Sequence, residues 1–230
     1  MAIQGNVGMP ASSGENVLVS DKMPLTTYLV NVKTWSRIDR VPYHHGHLRR
    51  ALLDTALEAI TEQGPAAVSL RDVARRAGVS HAAPTHHFRD KAGLLTALAA
   101  EGWTLLADAL SAAAARGEGF AELGVTYVLF ATSHPGHFAV MRAPGLVRRD
   151  DPDLRAAQQR AGALLQAGAA QHDARAGAGG APGDHATTSL AAWSLVHGLS
   201  ALLVEGAVKP EPGTDVATLA RSVTRRLGPG

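Results

Sequence analysis

Ala74, Gly78 and Val79 narrow what this 230-residue chain can become more than any other feature. They sit inside the stretch Ser69 to Phe88, SLRDVARRAGVSHAAPTHHF. Two short helices that cross steeply through a three- to four-residue turn need a small residue where they touch, a glycine in the turn and an apolar plug after it. The three residues meet those needs in that order. Ser69 opens the first of the two helices, with Asp72 three positions on as in a capping box. Leu70, Val73, Ala74 and Ala77 form its apolar stripe, and Gly78 ends it after two turns. Ser80 is expected to cap the second helix, which runs to about Phe88. That leaves Ser80, His81, Ala82, Thr85 and His86 on an outer face of the kind that enters a DNA major groove.

The charge pattern agrees with the geometry. Between Ser69 and Lys91 there are five cations (Arg71, Arg75, Arg76, Arg89, Lys91) against two anions (Asp72, Asp90). Over the whole chain 22 Lys and Arg face 20 Asp and Glu, a net charge of +2. Such a balance is too small for a bulk polyelectrolyte binder, so a nucleic-acid surface has to be local. His81, His86 and His87 add donors that gain charge beside phosphates. Arg75 and Arg76 read as a solvated helix face, whereas Arg71 and Lys91 stand in N-terminal turns facing the expected duplex.

The rest of the chain reads as helix after helix. Aromatic residues are only 4% of the chain, thin material for sheets and better suited to close-packed helices. Residues 1–41 mix Gly, Ser, Asn and Pro without a steady period and read as a loose tail. Leu53, Ala56, Leu57 and Ile60 then mark a helix that Gly64 and Pro65 close. Asp90 is expected to cap a long helix from Lys91. Later breaks fall at Gly117/Gly119, His134-Pro135-Gly136, Pro144-Gly145, Asp151-Pro152 and the loop AGAGGAPG, 176–183. A helix from about His185 to Val208 carries Trp193 and His197 on one face and Ala192, Val196, Leu199 and Leu203 on another. It therefore needs two covers, its own core and a second copy of the chain packed with the helix around Val216 to Leu227. The fold class is all-α.

Several classes of function are disfavoured. With no cysteine, disulfide scaffolds, thiolate metal sites and cysteine nucleophiles are excluded. The glycine-rich loop lacks the strand and Lys-Ser/Thr pair of a phosphate cradle, and no GxSxG, HExxH or paired-carboxylate arrangement occurs. His44, His45 and His47 have no carboxylate pair or cysteine nearby to complete a metal shell. No catalytic residue, metal or cofactor is expected. The first 20 residues hold no Lys or Arg and no apolar run, unlike a signal peptide. The apolar stretch Leu190 to Val204 is shorter than the ~20 residues of a spanning helix. A soluble, cytoplasmic protein with no membrane partner is expected.

The segment YHHGHLRRALLDTALEAITEQGPAAVSLRDVARRAGVSHAAPTHHFRDKAGLL, from Tyr43, resembles the DNA-binding domain of the tetracycline-repressor (TetR) family of bacterial transcriptional regulators. WSLVHG (Trp193 to Gly198) and YVLFATSHPGHFAVM (Tyr127 to Met141) resemble a branch of that family with a Trp-x-x-x-His-Gly signature in its C-terminal domain. The resemblance implies a helix-turn-helix head at 42–103, a ligand-binding and dimerisation body at 104–230, and a homodimer on a near-palindromic DNA operator. It further implies a repressor released by a small-molecule effector. By motif position the DNA-facing residues are Ser69, Arg71, Ser80, His81, Ala82, Thr85, His86, His87 and Lys91. The candidate effector residues are Trp103, Tyr127, Phe130, His134, Phe138, Trp193 and His197, each of which also serves as ordinary core. Thr85 stands where many members carry an aromatic residue, and His87 where an apolar one is common. With Ser80 as cap, Pro84 falls at the fourth helical position and forfeits about one backbone bond. These departures leave open a small-molecule binding module with a degenerate head.

Overall fold

The computed structural model describes residues 45–175 and 184–227, and no strand occurs among them. The expected tail at 1–41 and the 176–183 loop lie outside the described residues. α1 (His45–Gln63) buries Leu52, Leu53, Ala56 and Ile60 and ends where Gly64 takes φ +79°. α2 (Leu70–Arg76) and α3 (Ala82–Phe88) follow as two short helices. α4 (Lys91–Ala115) is the long helix expected from the Asp90 cap, whose carboxylate accepts from the Gly93 N–H at 2.9 Å.

Beyond the Gly117 break come α5 (Phe120–Ser133) and α6 (Pro135–Met141), then a 3-10 turn at Pro144–Leu146. Pro135 starts α6, where its missing N–H would have no helical partner in any case. α7 (Pro152–Arg175) starts in the same way, with Asp151 Oδ1 accepting from the N–H groups of Asp153 and Leu154 at 3.1 Å. α8 (Asp184–Val204) and α9 (Val216–Thr224) complete the body, and a final 3-10 turn covers Arg225–Leu227. α8 stops four residues short of the expected Val208, because the chain turns at Gly206 with φ +72°.

Two apolar cores result. One gathers Leu52, Ile60, Val68, Val73, Phe88 and Leu95; the other gathers Leu106, Leu110, Val128, Phe138 and Val196. Burying each such side chain stabilises the fold by roughly 1.5–3 kcal/mol. α4 runs unbroken through both cores, and Trp103 packs against both. α6 bridges them too, with Val140 in the first and Phe138 in the second. Its Gly136 lies so close to α1 that a Cβ there would stand 3.0 Å from the Leu57 carbonyl oxygen and 2.9 Å from Thr61 Oγ1.

By length and composition alone, α4 and α8 are both long and apolar enough to cross a membrane. This corrects the length argument made from Leu190 to Val204, since the folded helix begins earlier, at Asp184.

Candidate nucleic-acid interface and effector cavity

The turn between α2 and α3 is built by backbone chemistry that the sequence announces. Ser69 Oγ accepts from the Asp72 N–H at 3.1 Å, half of a capping box. The other half is absent, because the Asp72 carboxylate instead takes Arg75 at 2.6 Å and Arg76 at 2.7 Å. Those arginines hold its carboxyl below the usual range, the Arg75 hydrogen bond most strongly. Arg76 also reaches Glu62 at 2.7 Å, so both arginines are engaged within the head. At the far end of α2, Val79 N–H donates to Ala74 C=O at 3.0 Å and Gly78 N–H to Arg75 C=O at 3.2 Å. This is the pair of bonds of a Schellman cap, and it needs the left-handed φ of +67° that Gly78 supplies. Ala74 is fully buried beneath it.

α3 begins at Ala82, one residue later than a Ser80 cap would place it. His81 occupies the cap position without a side-chain bond, and only the Ser80 carbonyl takes part, accepting from Ala83 N–H at 3.0 Å. The shift matters for Pro84, which is now the third helical residue. Its lacking N–H is one the helix could not have bonded, so Pro84 costs no helical hydrogen bond and its ring is buried. The remaining faces separate cleanly. His81, Ala82, Thr85 and His86 are exposed along one side, while Pro84 and Phe88 anchor the other and His87 lies half-buried between them. The His87 ring meets His86 edge-on at 5.4 Å and leans on Phe88 at 6.1 Å.

Arg71 is exposed at the start of α2, beside this face in the chain's order. Lys91 is only half-buried, and its ammonium donates to the Ala66 carbonyl at 2.5 Å. That bond ties the first turn of α4 to the loop after α1. An ammonium has three donors, so the bond leaves others for a phosphate. The α3–α4 junction is tight. Arg89 is the one non-glycine residue at positive φ among those described (φ 68°, ψ −53°), and Asp90 N–H closes a three-residue turn onto Phe88 C=O at 2.8 Å. Arg148 clasps both Asp90 oxygens at 2.7 and 2.8 Å, so the loop before α7 also fixes the cap of α4.

Within the body, α4, α5, α7, α8 and α9 line an apolar cavity of about 190 Å³ that is open to one side. Of the candidate effector residues, Trp103, Tyr127 and Trp193 line it and Phe130, His134, Phe138 and His197 do not. Those four form two neighbouring ring pairs. His134 stacks on Phe130 at 4.9 Å, and His197 packs on Phe138 at 5.5 Å. The Tyr127 hydroxyl lies 2.8 Å from His197 Nδ1 and interacts with the Trp193 indole N–H. Burial pushes the Tyr127 phenol up to about 12, and burial likewise holds the His197 imidazole below its ordinary value. Phenol and imidazole are therefore neutral partners, and the His197 tautomer sets which of them donates. Phe120, Leu123, Gln158 and Thr224 also line the cavity. No sequence motif marked them, because they come from three helices far apart in the chain.

The comparisons with known proteins fall on both halves of the chain. The family model described as "Bacterial regulatory proteins, tetR family" matches residues 52–98, and "Tetracyclin repressor-like, C-terminal domain" matches residues 120–227. The chain belongs to the TetR family of bacterial transcriptional regulators. TetR-family proteins are regulators rather than enzymes, and the all-helical architecture with its N-terminal helix-turn-helix is that of the family. A protein of unknown function from Rhodococcus sp. RHA1 is 34% identical with a TM-score of 0.65, over 82% of this chain and 97% of that one. The TetR-family regulator PfmR from Thermus thermophilus, at 18% identity and a TM-score of 0.61 over 76% of this chain and 96% of its own, shares the fold. Among curated relatives, the HTH-type transcriptional regulator BetI of Escherichia coli (strain K12 / DH10B) is 47% identical over 62 residues, 27% of this chain. The chain spans about a third of BetI's length, 32%.

Proposed function

We propose that this TetR-family chain is a cytoplasmic, homodimeric repressor that binds a near-palindromic operator and is released by a small molecule held in its body. The observation that carries the reading is the division of α3 into a buried Pro84–Phe88 side and an exposed His81, Ala82, Thr85 and His86 side. Such a helix offers hydrogen-bond donors and acceptors and the methyl groups of Ala82 and Thr85 to base edges, while Ser69, Ser80, His87 and Lys91 would position the backbone of the duplex. On this reading residues 42–103 are the DNA-binding head, residues 104–230 the effector and dimerisation body, and 1–41 a tail. Two copies would present their α3 helices to successive major grooves about 34–36 Å apart. The outward apolar face of α8 is then covered by protein and not by lipid.

Genomic fragments captured by the purified protein, followed by footprinting, test this. Protection of two half-sites one helical turn apart supports the reading. Failure to retain any duplex at low ionic strength overturns it.

A further inference from the structure

The body holds a second cavity, and its chemistry is opposite to that of the first. The apolar cavity has no charged residue in its lining. The second, about 360 Å³, is bordered by Arg149, Arg155, Gln158 and Gln159 on one side and by Ala99 and Met141 on the other. Trp103 and Gln158 line both cavities, so the two adjoin at these residues.

The two arginines differ from those around them. Arg148 is held by Asp90 and Arg160 by Asp108, whereas neither Arg149 nor Arg155 makes an ion pair among the described residues. Three carboxylates stand between them in sequence: Asp151 caps α7, and Asp150 and Asp153, both exposed, neither pair with them among the described residues nor line the cavity. Both guanidiniums are exposed, so they cost nothing in desolvation while they wait for a partner.

We propose that the effector is an amphipathic anion, its apolar tail in the uncharged cavity beyond Trp103 and its single carboxylate or phosphate head against Arg149 and Arg155. The assignment rests on the reading of the body as an effector domain and adds the chemical class of the effector. Guanidinium forks match carboxylate and phosphate oxygens bidentately, and the tail gains by leaving water for a lining of Leu, Phe and Trp. A cation with the same tail would meet two like charges at the mouth.

The test uses the full chain and four probes with one eight-carbon tail: octanoate, octyl phosphate, octanol and octyltrimethylammonium, each titrated by calorimetry. Both anions should bind about tenfold more tightly than octanol, and the cation more weakly still. Of the two anions, the tighter identifies the head. In the double variant Arg149→Gln/Arg155→Gln the anion preference should vanish while octanol binding persists, and circular dichroism confirms that it is folded. Equal affinity for anions and octanol, preference for the cation, or no binding of any probe each overturns the proposal. Duplex binding is measured in parallel by fluorescence anisotropy. Probes that bind as expected without changing duplex affinity would leave this site standing and remove the effector reading, and duplex binding with no probe bound would do the reverse.

Discussion

His137 Nε2 stands 3.0 Å from Glu101 Oε1, joining α6 to α4, while the other oxygen of the same carboxylate takes Arg50 of α1 at 2.7 Å. Burial would raise the Glu101 carboxyl, but the hydrogen bonds from Arg50 and His137 outweigh it and hold the group below its usual value. Burial is also the largest influence on His137 and lowers its imidazole, against the pull of Glu101 and with help from His134 and Arg50. A histidine whose folded pKa lies below its unfolded value binds its proton more readily when unfolded. Stability is therefore undiminished above about pH 6.5 and falls as the pH drops below it. His197 acts in the same direction, and the lowered carboxylates of Asp72 and Glu101 act only nearer pH 4.

The thermal midpoint, followed by circular dichroism, should fall between pH 7 and 5, and His137→Gln should flatten that fall without abolishing it. An unchanged slope in the variant would remove His137 from the account.

Arg71→Ala should cost about 1–3 kcal/mol at the specific operator and relax the preference for one base pair. Titration of wild type and variant against single-base operator changes reads this out, and identical preference profiles would reject a base-reading role. Lys91→Ala should weaken all sequences alike and reduce the salt slope of binding by about one. An unchanged slope would confine Lys91 to its bond with Ala66.

Gly93→Ala should destabilise the head. A Cβ there would overlap the Phe88 carbonyl oxygen and stand 2.7 Å from Arg148 Nη1, and the first is rigid backbone. The expected loss is about 1–3 kcal/mol, seen as a lower urea midpoint with the same slope.

Gly162→Leu should do the opposite. Gly162 lines the apolar cavity from α7, and a Cβ there meets nothing within 4 Å. Removing a helical glycine gains roughly 1 kcal/mol, and the larger side chain occupies the space the tail would need. The variant should melt higher and lose octanol binding by calorimetry while retaining its affinity for duplex.

Along α8, Leu190, Ser194, Gly198 and Leu202 recur every fourth residue on the side away from Ala192, Val196 and Leu199, and all four are exposed. Leu190 at 59% and Leu202 at 43% exposure are apolar surface of the sort a second copy covers. Gly198→Glu should shift the protein from dimer to monomer in sedimentation and lower operator affinity with it. A variant that remains dimeric would move the interface elsewhere.

What the sequence disclosed was what neighbours in the chain decide. Ser69 caps α2, Asp90 caps α4, and Gly64, Gly78 and Gly117 turn the chain at positive φ, all within a few residues of the groups they bond. The cap of α3 was less legible. Ser80 has the right chemistry, but the cap falls on His81 and the helix starts one residue later than a Ser80 cap would place it, with Pro84 and Phe88 buried. Partners remote in sequence left no trace. Nothing near Lys91 indicates that its ammonium goes to Ala66, and nothing near Gln158 or Thr224 shows that they face Trp103 across a cavity. Of the seven aromatic and histidine positions singled out, Trp103, Tyr127 and Trp193 reach that space. The other four pack beside it in two pairs, Phe130 with His134 and Phe138 with His197, a distinction set by which way each helix is rotated.

The uninterrupted course of α4 has a mechanical consequence. At 25 residues and about 1.5 Å per residue it is a rod of roughly 37 Å. Leu106 and Leu110 near one end wall the apolar cavity, and Lys91 at the other adjoins α3. A pivot of only about 5° would sweep its tip by roughly 3 Å, comparable to the rise of one base pair, ~3.4 Å. An occupant that tilted this rod slightly would change the registry of the whole molecule with its double helix.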